Sequence, residues 1–140
     1  MNSARLRTVA FAIQNREQDS DPGFYAGRYA TRKDLPLGPD VGLAHIDRDV
    51  DADVAAWTCY QYPDLCEPLG IEHWWNQGLF YWTNARQILG LTDEQADSLF
   101  CPPGVCEDSE RYTSGWAVGE LYRLATEGDR QKKIEKEKVQ

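Results

Sequence analysis

The 140-residue chain has no apolar run approaching the roughly 18 residues of a membrane-crossing helix, so no membrane role is expected. Its start, MNSARLRTVAFAIQNREQ, places charges on both sides of a short apolar stretch and lacks a small-residue cleavage site. No signal peptide is therefore expected. Neither a P-loop nor a dinucleotide-binding glycine fingerprint is present, and this removes two common nucleotide-binding devices. Histidine is scarce: His45 and His73 stand alone, and neither lies near a recognisable nucleophile motif. A catalytic triad is not expected.

Bases are scarce where they would matter for nucleic acid. Residues 34–128 hold four Lys and Arg against seventeen Asp and Glu, whereas residues 1–33 hold six against three and residues 129–140 five against three. The acidic middle repels phosphate backbones. It favours encounter with basic protein surfaces, mainly through faster association.

Several helical patterns are legible. Leu6, Val9, Ala10 and Ile13 recur at i, i+3, i+4, i+7, with Ser3 a suitable cap, and Asp19-Ser20-Asp21-Pro22-Gly23 ends the helix. Phe24, Tyr25 and Tyr29 are expected over the core. Leu35 to Asp40 reads as an irregular loop, and Gly42 to Ile46 as a short strand. A second helix is expected from about Asp51 to Tyr60, stopped by Pro63, with Val54, Ala55 and Trp57 inward. A short helix after Gly70 would carry His73, Trp74 and Trp75.

The strongest local pattern runs from Ala85 to Phe100. Trp82, Ala85, Ile88 and Leu89 share a helical face, and Gly90 suits a left-handed helix end. Thr92-Asp93-Glu94-Gln95 fits a capping box, and the two acids suit the positive end of the helix dipole. Ala96, Leu99 and Phe100 form the inner face. A DNA-reading role for this helix–turn–helix is not expected, because Asp93, Glu94 and Asp97 would face the groove. A last helix, with Ala117, Leu121, Leu124 and Ala125 as its core stripe, is expected to stop at Gly128. The tail from 129 to 140 reads as frayed or disordered. The fold class is mainly α. It is a compact bundle of about four to five helices with long irregular loops and room for one short strand pair. Residues 1–128 form one domain and residues 129–140 a charged tail.

Three constellations invite chemistry. Asp47, Asp49, Asp51 and Asp53 alternate like the opening of a calcium loop, but Ala52 and Thr58 stand where that loop needs glycine and glutamate. A solvated acidic turn capping the second helix fits better. Cys59, Cys66, Cys101 and Cys106 supply four thiols for zinc, although their spacings fit the usual knuckles poorly. Reduced thiols and no cofactor are the main expectation, with zinc as the alternative. Cys59 or Cys66 acting with His73 as a small thiol enzyme rests on residue types alone. Finally, Trp74, Trp75, Phe80, Tyr81 and Trp82 pack five aromatics into nine residues. Phe80 and Trp82 suit a core, and exposed members would be interface anchors.

The segment Leu89-Gly90-Leu91-Thr92-Asp93-Glu94-Gln95-Ala96-Asp97-Ser98-Leu99-Phe100 resembles an LGLT-x-x-QA-x-x-LF hairpin of small uncharacterised proteins of actinobacteria and their phages. The resemblance implies a helical layout and a phage or mobile-element setting, with action in the host cytoplasm, and no known activity. The expected function is a non-enzymatic, acidic protein-binding accessory factor acting on a host or cognate protein with a basic surface. Its expected contacts are Trp74, Trp75, Tyr81, Asp93, Glu94 and Asp97. A more specific form is a nucleic-acid mimic that inhibits a DNA- or RNA-binding protein.

Overall fold

The computed structural model describes residues 1–17, 19–27, 29–34, 42–68, 77–105 and 107–139. The fold is mainly α with a small sheet. Helix α1 (Ser3–Gln14) is followed by strands β1 (Gly23–Phe24), β2 (Ala30–Arg32) and β3 (Val50–Ala52), then by α2 (Val54–Gln61), α3 (Gln77–Leu89), α4 (Asp93–Phe100) and α5 (Ser114–Val139). Strand β3 lies in the middle of the sheet, parallel to β1 and antiparallel to β2. Gly23 pairs with Asp51 and Ala30 with Ala52. No helix among the described residues is long and apolar enough to cross a membrane.

The expected stripe of α1 is the one buried: Leu6, Val9, Ala10 and Ile13 have no exposed surface. Its main packing partner is α5, which turns Ala117, Leu121, Leu124 and Ala125 toward it. Burying each large aliphatic side chain stabilises by about 1.5–3 kcal/mol, so this seam is a principal source of stability. The cap of α1 is Asn2 rather than Ser3: its side chain accepts from the Arg5 amide at 3.1 Å, and Ser3 is buried inside the first turn. Arg5 in turn donates to the Ile88 carbonyl at 3.0 Å, where a cation meets the negative end of α3.

Helix α5 continues through Gly128 to Val139 instead of stopping there. Gly128 is kept for closeness: a Cβ there would lie 2.8 Å from the Ser3 Oγ. The residues beyond it, DRQKKIEKEKV, are mostly strong helix formers without proline, so nothing local breaks the helix. Residues 129–138 are exposed and belong to the outer part of α5.

The hairpin between α3 and α4 follows its local chemistry. Gly90 has φ +66°, the left-handed geometry that ends α3. Both halves of the capping box are present: Gln95 N–H donates to Thr92 Oγ1 at 3.2 Å, and Thr92 N–H donates to Gln95 Oε1 at 3.0 Å. Ala96, Leu99 and Phe100 are buried.

Two expectations elsewhere are corrected. Leu43–His45 is a 3-10 turn, not a strand, and the strand lies further on at Val50–Ala52. The acidic run 47–53 is therefore only partly a solvated turn. Asp47 accepts from the Asp49 amide at 2.9 Å within the turn, whereas Asp51 belongs to the sheet and Asp53 is 1% exposed. Asp53 caps α2 by accepting from Ala56 N–H at 2.9 Å, and its other oxygen accepts from the Trp82 indole at 3.0 Å. A buried carboxylate persists here because two donors satisfy it. The expected short helix with His73 lies outside the described residues.

Candidate functional site

The end of α2 is where the chain turns back. Tyr62 closes the helix, and a 3-10 turn over Pro63–Leu65 follows. The next residues are pinned to α3, because Glu67 N–H donates to the Asn84 side chain at 2.9 Å. Asn84 is itself buried and donates to the Phe80 carbonyl at 3.1 Å. This reversal brings Cys66 back to Cys59, which sits without exposed surface on the inner side of α2.

Between this turn, the Leu43–His45 turn and α3 lies an open cleft of about 540 Å³. Leu43, Ile46, Pro63 and the rings of Tyr60 and Tyr81 line it. Cys66 and Glu67 are its main polar members. An apolar hollow with a few polar groups is the usual form of a ligand site. Tyr60 is held by a hydrogen bond from its hydroxyl to Asp21 at 3.2 Å, and burial, reinforced by that contact, raises its proton affinity.

The two thiols differ sharply. Cys59 S–H donates to the Tyr81 carbonyl at 3.6 Å, and Cys66 S–H to the Tyr62 carbonyl at 3.6 Å. The neighbouring Cys59 thiol draws the Cys66 thiol below the ordinary thiol range, against the opposing effect of burial. The same contact and burial push Cys59 far above it. Cys66 is thus the more acidic thiol of the pair.

Comparison with family models, curated proteins and solved structures finds no match to this chain.

The expected partner contacts divide three ways. Trp74 and Trp75 lie outside the described residues. Tyr81 is not an exposed anchor: it is 6% exposed and stacks on Tyr29 with ring centroids 4.8 Å apart. The described members of the aromatic cluster face inward, since Phe80 and Trp82 pack against the core and Trp82 meets Phe100. Helical periodicity places Tyr81, Ala85 and Ile88 on the buried stripe of α3, with Phe80 and Trp82 half-buried beside it. Asp93, Glu94 and Asp97 are exposed on the outer side of α4, and Asp93 lies 3.4 Å from Arg86.

Of the four cysteines, Cys59 and Cys66 come together. Cys101 is exposed at the end of α4, and Cys106 lies outside the described residues. Among the described residues no group of three or more His, Cys, Asp and Glu side chains could hold a metal. The pairing of Cys59 with Cys66 depends on a chain reversal that spacing alone does not specify. Pro63 after a helix, halfway between two cysteines seven positions apart, was the one signal available.

Proposed function

We propose that the chain is a non-enzymatic protein-binding factor that presents the outer side of α4 to a host or cognate protein with a basic surface. The observation that carries this reading is the sidedness of α4. Ala96, Leu99 and Phe100 fix it to the core, while Asp93, Glu94 and Asp97 point to solvent and no base lies on the helix. Exposed acids so arranged speed encounter with a basic patch and select against acidic ones. A phage or mobile-element setting and action in the host cytoplasm belong to the same proposal and rest on the LGLT-x-x-QA-x-x-LF hairpin.

The nucleic-acid-mimic form has less support. Asp53 is buried, Asp34 pairs with Arg32 at 3.0 Å, and Glu120 and Glu127 flank Arg123 at 2.9 and 3.3 Å. These acids are engaged locally rather than joined into one strip.

The test is capture from bacterial lysate by the immobilised protein and by a Glu94→Lys/Asp97→Lys variant. The expected result is a protein retained at low salt by the first and lost by the second. Equal retention by both would exclude α4 as the contact face. Asp97→Lys lies on an exposed face and should change stability by no more than about 0.5 kcal/mol, whereas Glu94→Lys, in the first turn of α4, also loses a helix-dipole contribution of about 0.3–1 kcal/mol.

A further inference from the structure

The cleft beside Cys66 has a chemistry that protein binding through α4 does not use. Its walls are apolar and aromatic: Leu43, Ile46 and Pro63, with the rings of Tyr60 and Tyr81. Among the described residues that line it, Glu67 alone is an acid or a base of full charge, and it is exposed. Residues 43–68 supply this lining apart from Tyr81, and they hold six Asp and Glu against one Arg and no Lys. The hollow thus shelters an apolar body from water and offers a counter-charge to a cation, not to an anion.

The walls are held before any ligand arrives. Glu67 is fixed through its backbone, because its N–H donates to the side chain of buried Asn84 at 2.9 Å. Tyr81 lies almost parallel to Tyr29, at an interplanar angle of 11° with centroids 4.8 Å apart. Tyr60 is tethered by its hydroxyl, which donates to Asp21 at 3.2 Å and so sets a second carboxylate beside that ring. Walls that need no rearrangement keep the ordering cost of binding low. The volume of about 540 Å³ falls among small-molecule sites, which run from roughly 300 to 1,000 Å³.

We infer that this cleft binds a small arylalkyl amine in its protonated form. The aromatic body lies against Tyr60, Leu43 and Ile46, and the ammonium donates to the Glu67 carboxylate. The tyrosine faces attract the same positive group. A neutral analogue gains the apolar burial alone, and an anionic one meets repulsion from Glu67. Binding involves no covalent step, and it stands independently of the role of α4.

The test titrates the whole nitrogen-15-labelled protein, at neutral pH and low salt, with 2-phenylethylamine, 2-phenylethanol and 3-phenylpropanoate. These share one phenylethyl body and differ in charge. Amide shifts should saturate with the amine and concentrate at residues 43–46, 60–67 and 81. The alcohol should bind about tenfold more weakly, and the carboxylate should show no saturation. Glu67→Gln should bring the amine down to the affinity of the alcohol and leave the alcohol unchanged. Ala44 is exposed and lines the cleft, so Ala44→Trp fills the space from outside the core and should abolish binding of both. The Glu94→Lys/Asp97→Lys variant should bind the amine as the parent does, which separates this inference from the α4 reading. The parent protein alone can overturn it: no saturation with the amine, equal binding of all the compounds, or shifts centred elsewhere. A preference for the amine that survives Glu67→Gln overturns it as well.

Discussion

The seam between α1 and α5 and the cleft beside Cys66 are lined by similar residues and end differently. In the seam, Leu6, Val9 and Ile13 meet Leu121 and Leu124, and Gly128 lets the two helices approach until Ser3 fills the remaining space. At the cleft, Leu43, Ile46, Pro63 and two tyrosine rings face one another across about 540 Å³. Apolar composition therefore does not decide whether a surface closes. A second continuous helix closes the first, whereas two short turns leave the second open. At this open cleft the half-buried Cys66 reaches the surface.

Substitutions can break this contrast. The largest effect is expected at the closed seam. Leu121→Ala should cost about 2–5 kcal/mol, since the fully buried leucine leaves a cavity that two packed helices cannot collapse. The midpoint of urea unfolding measures it, and a loss below that range would mean the seam is loosely packed.

An intermediate effect is expected at Asp53, which ties the sheet to α2 and α3. Asp53→Ala removes the α2 cap and leaves the half-buried Trp82 indole without its acceptor. The combined cost should be about 2–3 kcal/mol. Asp53→Asn, which keeps an acceptor, should restore a part of it in the same denaturation series.

The smallest effect is expected at the open cleft. Leu43→Ala removes a half-buried side chain that faces solvent, so it should cost less than about 1 kcal/mol. It should also speed alkylation of Cys66 by iodoacetamide, because the cleft widens. A cost matching that of Leu121→Ala would show that the cleft is closed core.

What the sequence disclosed tracks how local the physics is. The α3–α4 hairpin was legible because Gly90, Thr92 and Gln95 act within a few residues of one another. The buried stripes of α1 and α5 were legible because period 3.6 is a property of each helix alone. The mainly helical class followed from these. The strands were not legible, because two or three residues are too few to show alternation. Gly128 misled for a different reason: its need is set by Ser3, far away in sequence. Tyr81 was misplaced because a crowded aromatic stretch says nothing about which rings face inward until α3 has its phase. The meeting of Cys59 with Cys66 lay beyond the sequence for the same reason as Gly128, since the turn at Pro63 and the tie from Glu67 to Asn84 create it.

The pairing of the first helix with the last has a consequence for biosynthesis. Arg7 meets Asp129 across 122 positions, and the apolar stripe of α1 finds its principal partner only in α5. A ribosome adding about 5–20 residues per second needs on the order of ten seconds to make the intervening chain. Throughout that interval Leu6, Val9 and Ile13 have no α5 to cover them. The nascent chain is thus a client for whatever shields apolar segments during translation, and its final closure is a late, long-range event rather than a progressive one.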